Sequence, residues 1–393
     1  MEKKVGVDEV GVHALDQKTL KVELEYPAPY FLYLTTCSTY SPIHRKMDEK
    51  SSNWANISAD TFICNGPFKL KKWKKGVEIV LEKNKHYWDA KNVKLPGIRI
   101  QIIPDSNTQY MLFEKKELDW VGEPFNPLPF DIFEDSHVEN QIHKLESMGL
   151  HWFFINTEKP PFDNKNLRKA IAYAINRQEI TDHIFQTGEV PAMGILNSKM
   201  KLRNTPYFED GNVEKAREHL RMALTDLGLK NVSELPTIVL SQRSSIFILR
   251  VMQAIQHQIY EVLGVQIEVE QSDWPVHFNK LAQGDFSIGE IGWSSWLWDP
   301  IYMLDTFRTR SLATNMSRWE DVRYKECLEK SDYEINPEKR KEYLQQAEQI
   351  LMEEMPVIPL CFNSIAFMNN PKLKNVYLSP LKVIDFRYSF FEE

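Results

Sequence analysis

Residues 237–270 read TIVLSQRSSIFILRVMQAIQHQIYEVLGVQIEVE, and their spacing decides the fold class. Residues 237–240 are strand-like, residues 246–263 repeat apolar side chains at helical spacing up to Gly264, and residues 265–270 are strand-like again. Strand, amphipathic helix and strand make a βαβ unit, which buries its apolar faces by laying helices on a sheet. A helix capped by Asp163, with Leu167, Ile171, Ala174 and Ile175 on one face, and another over 213–227 stopped at Gly228 extend the pattern. Beyond residue 300, helices are expected over 320–330 and 337–354, the second capped by Asn336 with Pro337 in its first turn. Strand-like 357–362 and 376–378 follow.

Upstream the period changes to two. Residues 19–25, 68–72, 77–82 and 98–103 alternate as strands do, separated by Pro, Gly and Asn. Lys69, Lys71, Lys72, Lys74 and Lys75 alternate with Phe68, Leu70 and Trp73, which reads as a hairpin with a solvated lysine face. The fold class is therefore α/β, and the shift in pattern over 145–152 is the candidate boundary between a strand-rich part and a helical one.

At 393 residues the chain exceeds what one core usually supports, so two lobes are expected. With 42% hydrophobic and 26% charged residues it has the composition of a globular protein, and a net charge of −7 argues against nucleic-acid binding. Cys37, Cys64, Cys327 and Cys361 are far apart without a CxxC pair, so neither a zinc site nor a disulfide framework is indicated. No run approaches 18 apolar residues, and residues 1–5 lack the apolar core of an export signal.

Motifs for chemistry fail one after another. The run at 292–296, GWSSW, lacks the second glycine of GxSxG. The ten histidines form no HExxH, and the 15 glycines no GxGxxG or GxxxxGK. Acidic residues are plentiful, but spacing alone cannot set two of them at a glycosidase separation. No cofactor or metal is implied, and a non-catalytic binder fits better than an enzyme.

The densest feature is the run GWSSWLWDP at 292–300, with Trp293, Trp296 and Trp298 after a strand-like 286–291. No single periodicity buries all three indoles on one face, so at least one is expected to face a cavity or solvent. A ligand-binding loop and a core-forming aromatic cluster both remain open.

Several segments resemble the solute-binding proteins of peptide-type ABC importers, the oligopeptide- and dipeptide-binding family. NGPFKLKKW at 65–73 with IVLEKNKHYWD at 79–89 looks like that family's hairpin region. FINT at 154–157, PPFD at 160–163, Leu167-Arg168 and AINR at 174–177 look like a second segment. Residues 10–31, LGV at 263–265, Trp274 and the 292–300 loop fall in family order, so the match covers essentially the whole chain.

The resemblance implies a periplasmic-binding-protein-like, two-lobed fold, with an incomplete lobe one over 1–148, completed by 374–393, and lobe two over 149–373. It implies a peptide or related small solute bound in the interlobe cleft, an ABC permease as partner, and a place in the periplasm or at the cell-envelope surface. Family members carry an export signal, a lipid-anchoring cysteine, a first strand and an accessory domain ahead of residues matching 10–31, so the chain is expected to be truncated. The polar clamps also differ. Trp296 stands where the family has an aspartate for the peptide amino terminus, and Glu290 where it has an arginine that can take the carboxylate. A buried charge-assisted hydrogen bond contributes about 1.5–3 kcal/mol, so losing two should weaken binding of a zwitterionic peptide.

The expected ligand site is thus Trp152, Trp274, Glu290, Gly292, Trp293, Ser294, Trp296 and Trp298. Indoles supply packing, loop backbone groups bind the main chain, and Glu290 gives the aromatic site a negative edge suited to a cation. Asp299 is expected to orient the loop. Asn156, Pro160, Pro161 and Asp163 are assigned to structure. A degenerate remnant with a structural role and a carbohydrate-active enzyme are the alternatives.

Overall fold

The computed structural model describes residues 6, 9–51, 53–57 and 62–393. Its amino-terminal part is built from short elements. A hairpin of β1 (Val12–Ala14) and β2 (Leu20–Val22) precedes the helical turns α1 (Phe31–Leu34), α2 (Arg45–Lys50) and α3 (Trp54–Ile57). Neither α1 nor α2 has a buried residue.

The next three strands, β3 (Phe68–Lys74), β4 (Glu78–Lys83) and β5 (Gly97–Gln101), form an antiparallel sheet. Its lysines are exposed as expected. Lys72 pairs with Glu78 and Lys69 with Glu82, so the basic face is largely neutralised by its neighbour strand. Helix α4 (Ser106–Glu114), capped by Asp105, leads to β6 (Trp120–Gly122).

From there the chain enters a helix-flanked sheet through β7 (His143–Ile155), followed by α5 (Lys165–Ala174), α6 (Arg177–Ile180), β8 (Val190–Pro191) and α7 (Val213–Asp226). The βαβ unit follows as β9 (Ile238–Arg243), α8 (Ile246–Leu263) and β10 (Ile267–Ser272). After it come α9 (Trp274–Gln283), β11 (Ile288–Ser294), α10 (Ile301–Leu304), α11 (Val322–Tyr333), α12 (Pro337–Glu354) and β12 (Val357–Asn369). Strand order is β10-β9-β11-β7-β12-β6, with β8 also on β12. The β10-β9-β11 pairs are parallel and the rest antiparallel, as one βαβ unit inserted beside long hairpin-like strands requires.

Both faces of β7 are covered, and Trp152, Phe153, Phe154 and Ile155 are among the most deeply buried large side chains. Burial on both faces produces an unbroken apolar run instead of alternation. A second, small core joins Val121, Leu128, Ile132, Val138, Ala366 and Met368. Residues 145–152, where the sequence pattern shifts, lie inside β7.

Most helix ends fall where the sequence puts them. Gly264 closes α8 at φ 68° and Asn336 caps α12. One cap moves: Asn164, not Asp163, accepts from the Leu167 amide at 3.0 Å, since only its oxygen reaches the third amide of α5. Strand 19–25 shrinks to three residues, while 357–362 extends to Asn369 because bulges after Pro359 and Phe362 let β12 follow β7.

Helix α12 also carries a buried acid. Glu348 accepts from the Tyr207 hydroxyl at 2.7 Å and the Ile195 amide at 2.9 Å, tying the 193–208 loop to the helix. Burial nevertheless pushes its carboxyl up from 4.5 to about 7. The folded chain therefore holds a proton that the unfolded chain releases, so this contribution is full below about pH 4.5 and is lost as pH rises through about 7. Relative to Glu348→Gln, the parent should lose stability between about pH 5 and about pH 8 in denaturant melts. Parallel midpoints across that range would refute the linkage.

Candidate functional site

The site is set by where pairing stops. Strand β7 pairs β11 along all of Ile288–Ser294, but β9 pairs it only at Ile288 and Gly289. Beyond Gly289, β11 has a partner on one side only. The Ser295 amide donates to the Met148 carbonyl, and the Ile291 and Trp293 backbones share that direction, because alternate residues of an antiparallel strand bond to opposite sides. The Glu290 carbonyl points the other way, where His277 Nε2 of α9 meets it at 2.7 Å. By the same alternation, the backbone N–H and C=O of Gly292 and Ser294 face the unpaired side. That is a short strand edge of the kind that receives an extended chain.

The pleat then sorts the side chains. Trp293 lies across from Leu150, and Ile291 across from Trp152, on one face. There the Trp152 and Trp293 rings stack with centroids 5.9 Å apart, and Phe154 and Phe307 pack around them. Glu290, Gly292 and Ser294 occupy the opposite face with Phe153, His151 and Gly149. The single site of five indoles edged by a carboxylate, expected from the sequence, is therefore not assembled: Trp152 and Trp293 are separated from Glu290 by the sheet itself.

The other indoles diverge too. Trp298 is half-buried against the main core, whereas Trp296 is 67% exposed at the loop tip. Trp274 is 46% exposed on α9, one turn before His277, and touches the Phe278 ring at 5.6 Å. Trp293 and Trp298 thus pack against the core, and Trp296 is the indole that the lack of a single periodicity leaves to solvent.

On the Glu290 face the environment is polar and buried. Glu290 is 2% exposed, and His151 Nδ1 lies 3.6 Å from its Oε1. Burial works to raise this carboxyl, but His151, aided by Arg243 and His277, outweighs burial and holds it below its ordinary value. Gln242 follows Leu240, the register partner of Ile288, by two residues, so the pleat turns it to the same face as Glu290, one residue past the end of the β9–β11 pairing. It is fully buried, and neither atom of its amide has a hydrogen-bond partner. Sequence reading missed His151, Gln242 and His277. Only Gln242 left a trace, as a polar residue in an apolar strand.

The loop after β11 is held from below. Asp299 forms a two-bond pair with Arg340 of α12, at 2.7 and 2.8 Å, and also accepts from the Ile301 amide. It orients the loop, as expected. Arg340 lies over the Tyr30 ring, and Cys37 Sγ reaches the Trp296 carbonyl at 3.7 Å, so the amino-terminal segment abuts the same loop. Among the described residues no acidic, histidine or cysteine cluster could hold a metal ion, and no helix is long and apolar enough to cross a membrane.

Comparison with known proteins adds three findings. The model of the bacterial extracellular solute-binding proteins, family 5 Middle, matches residues 3–315. The oligopeptide-binding protein OppA of Bacillus subtilis is 37% identical over 392 residues, covering 99% of this chain and 72% of that protein, and the dipeptide-binding protein DppE of the same organism is 29% identical. A periplasmic oligopeptide-binding protein from Borrelia burgdorferi superposes with a TM-score of 0.79 at 26% identity, covering 99% of this chain and 76% of that one.

Breaking the pair beneath the loop leaves a buried charge alone, which typically costs about 3–5 kcal/mol. Asp299→Asn should lower the denaturation midpoint accordingly, and the double replacement Asp299→Leu with Arg340→Met should recover part of the loss. An unchanged midpoint in the single variant would show that the loop is held by other contacts.

Proposed function

The chain belongs to the bacterial extracellular solute-binding proteins of family 5, and on that premise we propose that it binds an extended oligopeptide along the free edge of β11 for delivery to an ABC permease. Its fold is the two-lobed α/β type of that family. The observation that carries the reading is the loss of β9 pairing after Gly289, which leaves the Gly292 and Ser294 backbones facing an open side. Main-chain pairing gives affinity with little demand on ligand sequence, and alternate side chains meet separate surroundings.

In this reading Gly292 and Ser294 hold the ligand main chain, while Trp274 and Trp296 offer exposed apolar surface to its side chains. Trp152, Trp293 and Trp298 support the strand and loop from the packed face. Residues 1–148 with 374–393 form one lobe and 149–373 the other, and the cleft lies where the 30–37 segment approaches the loop. The relatives' names support a peptide cargo, the Borrelia structure's description as part of an oligopeptide ABC transporter supports a permease partner, and the family's extracellular description supports a place at the cell envelope. A binding role, not a catalytic one, accords with the family.

Tri- to pentapeptides should quench or shift tryptophan fluorescence saturably. Because a ladder uses alternate ligand amides, N-methylation at one position should weaken binding about threefold to tenfold, as a net hydrogen bond of about 0.5–1.5 kcal/mol dictates, with little effect at the next. Equal losses at every position, or no saturable response to any peptide, would refute main-chain pairing on β11.

A further inference from the structure

We propose that Glu290, with Gln242 on the same sheet face, is the acceptor for a cationic side chain of the bound ligand, a guanidinium or an ammonium group. The inference rests on the reading of β11 as the peptide edge and adds the charge that the site selects.

The Glu290 carboxylate is buried, and its nearest partner, His151 Nδ1 at 3.6 Å from Oε1, stands beyond full hydrogen-bond distance, so both oxygens keep acceptor capacity. The Gln242 amide, on the same face, is equally unbonded. Buried polar groups are ordinarily paired, and a buried charge without hydrogen bonds is among the costliest features a fold can retain. Two such groups on one sheet face, next to a free strand edge, are matched by a ligand group bearing several N–H donors. The carboxylate and the amide oxygen are both acceptors for it. A ligand carboxylate would instead meet an anion.

Geometry limits which ligand residues can reach it. In a two-strand ladder, residues opposite one another share a face. A chain paired to Gly292 and Ser294 therefore sends alternate side chains to the face that carries Glu290. Gly292, the next residue on that face, contributes no side chain to block the path, and even a Cβ there would lie 3.6 Å from the His151 ring. His151 itself is partly exposed, so the approach runs past it.

The flank is aromatic: Phe185 lies 5.8 Å from the His151 ring and Phe247 5.1 Å from Phe185. Apolar rings beside a buried acid suit the methylene stem and charged head of lysine or arginine. Three other titratable groups face or surround the carboxylate. His151 is its neighbour, His277 is engaged with the Glu290 backbone carbonyl, and Arg243 acts at longer range without forming an ion pair. The indoles of the opposite face take no part.

The test compares peptides differing only by arginine or its uncharged analogue citrulline at each position, titrated into the intact chain and into Glu290→Gln. At one position the parent should bind the arginine peptide at least about tenfold more tightly, a difference of about 1.4 kcal/mol. The variant should lose that preference and bind the citrulline peptide as the parent does. Equal affinities of the parent for both peptides would overturn the inference while leaving main-chain pairing intact, and this arm does not depend on the variant folding. A preference that survives Glu290→Gln in a cooperatively melting variant would overturn it as well. Failure of every peptide to bind would overturn both this inference and the peptide reading.

Discussion

The register between β7 and β11 is the constraint on which the site depends. Ile288 opposes Ile155 and Ser294 opposes Gly149 in one unbroken antiparallel ladder. A one-residue slip would exchange the two faces of β11, turning Trp293 toward His151 and Glu290 into the aromatic core. The packing of Trp152, Phe154 and Phe307 against Trp293 makes that slip costly, since each buried ring represents a large apolar area. Hydrophobic packing on one side of the sheet thereby positions polar groups on the other.

The division has a functional logic. Indoles that look like a ligand cage in the sequence serve mainly to hold a strand, and the groups facing the open edge are small or polar. On the proposed reading, glycine and serine keep the backbone approachable, while selectivity falls to one recessed acid and to exposed aromatic surface on α9 and at the loop tip. Support comes from a separate direction, through the Asp299–Arg340 pair that anchors the loop to α12.

Local rules made the helical part legible. Helix α8 with Gly264, and α12 with Asn336 and Pro337, lie where periodicity and caps place them, because both signals are written within one turn. Asp163 and Asn164 are comparable caps on paper, and only the backbone path shows which oxygen reaches the third amide. The tryptophan run was harder. Its first indole belongs to β11, which runs to Ser294, and the face it takes is fixed by a ladder with residues about 140 positions away in sequence. His151, His277 and Gln242 come from three separate elements and have no spacing that links them. The family resemblance pointed to the 290–300 segment, but not to the sheet that divides Glu290 from Trp152 and Trp293.

The shortness of the open edge has a consequence for the molecule between encounters with ligand. Unpaired strand edges invite pairing with other copies of the same chain, and long flat ones are the usual starting points for aggregation. Here the edge is closed at one end by His277 on the Glu290 carbonyl and at the other by the turn that begins when Ser295 bonds Leu297. Two residues of free ladder are too few to template a stable intermolecular sheet, since isolated two-strand pairing of even greater length is marginal in water. On the proposed reading, a small guest that also finds side-chain contacts is held, whereas a neighbouring copy of the protein gains too little to stay.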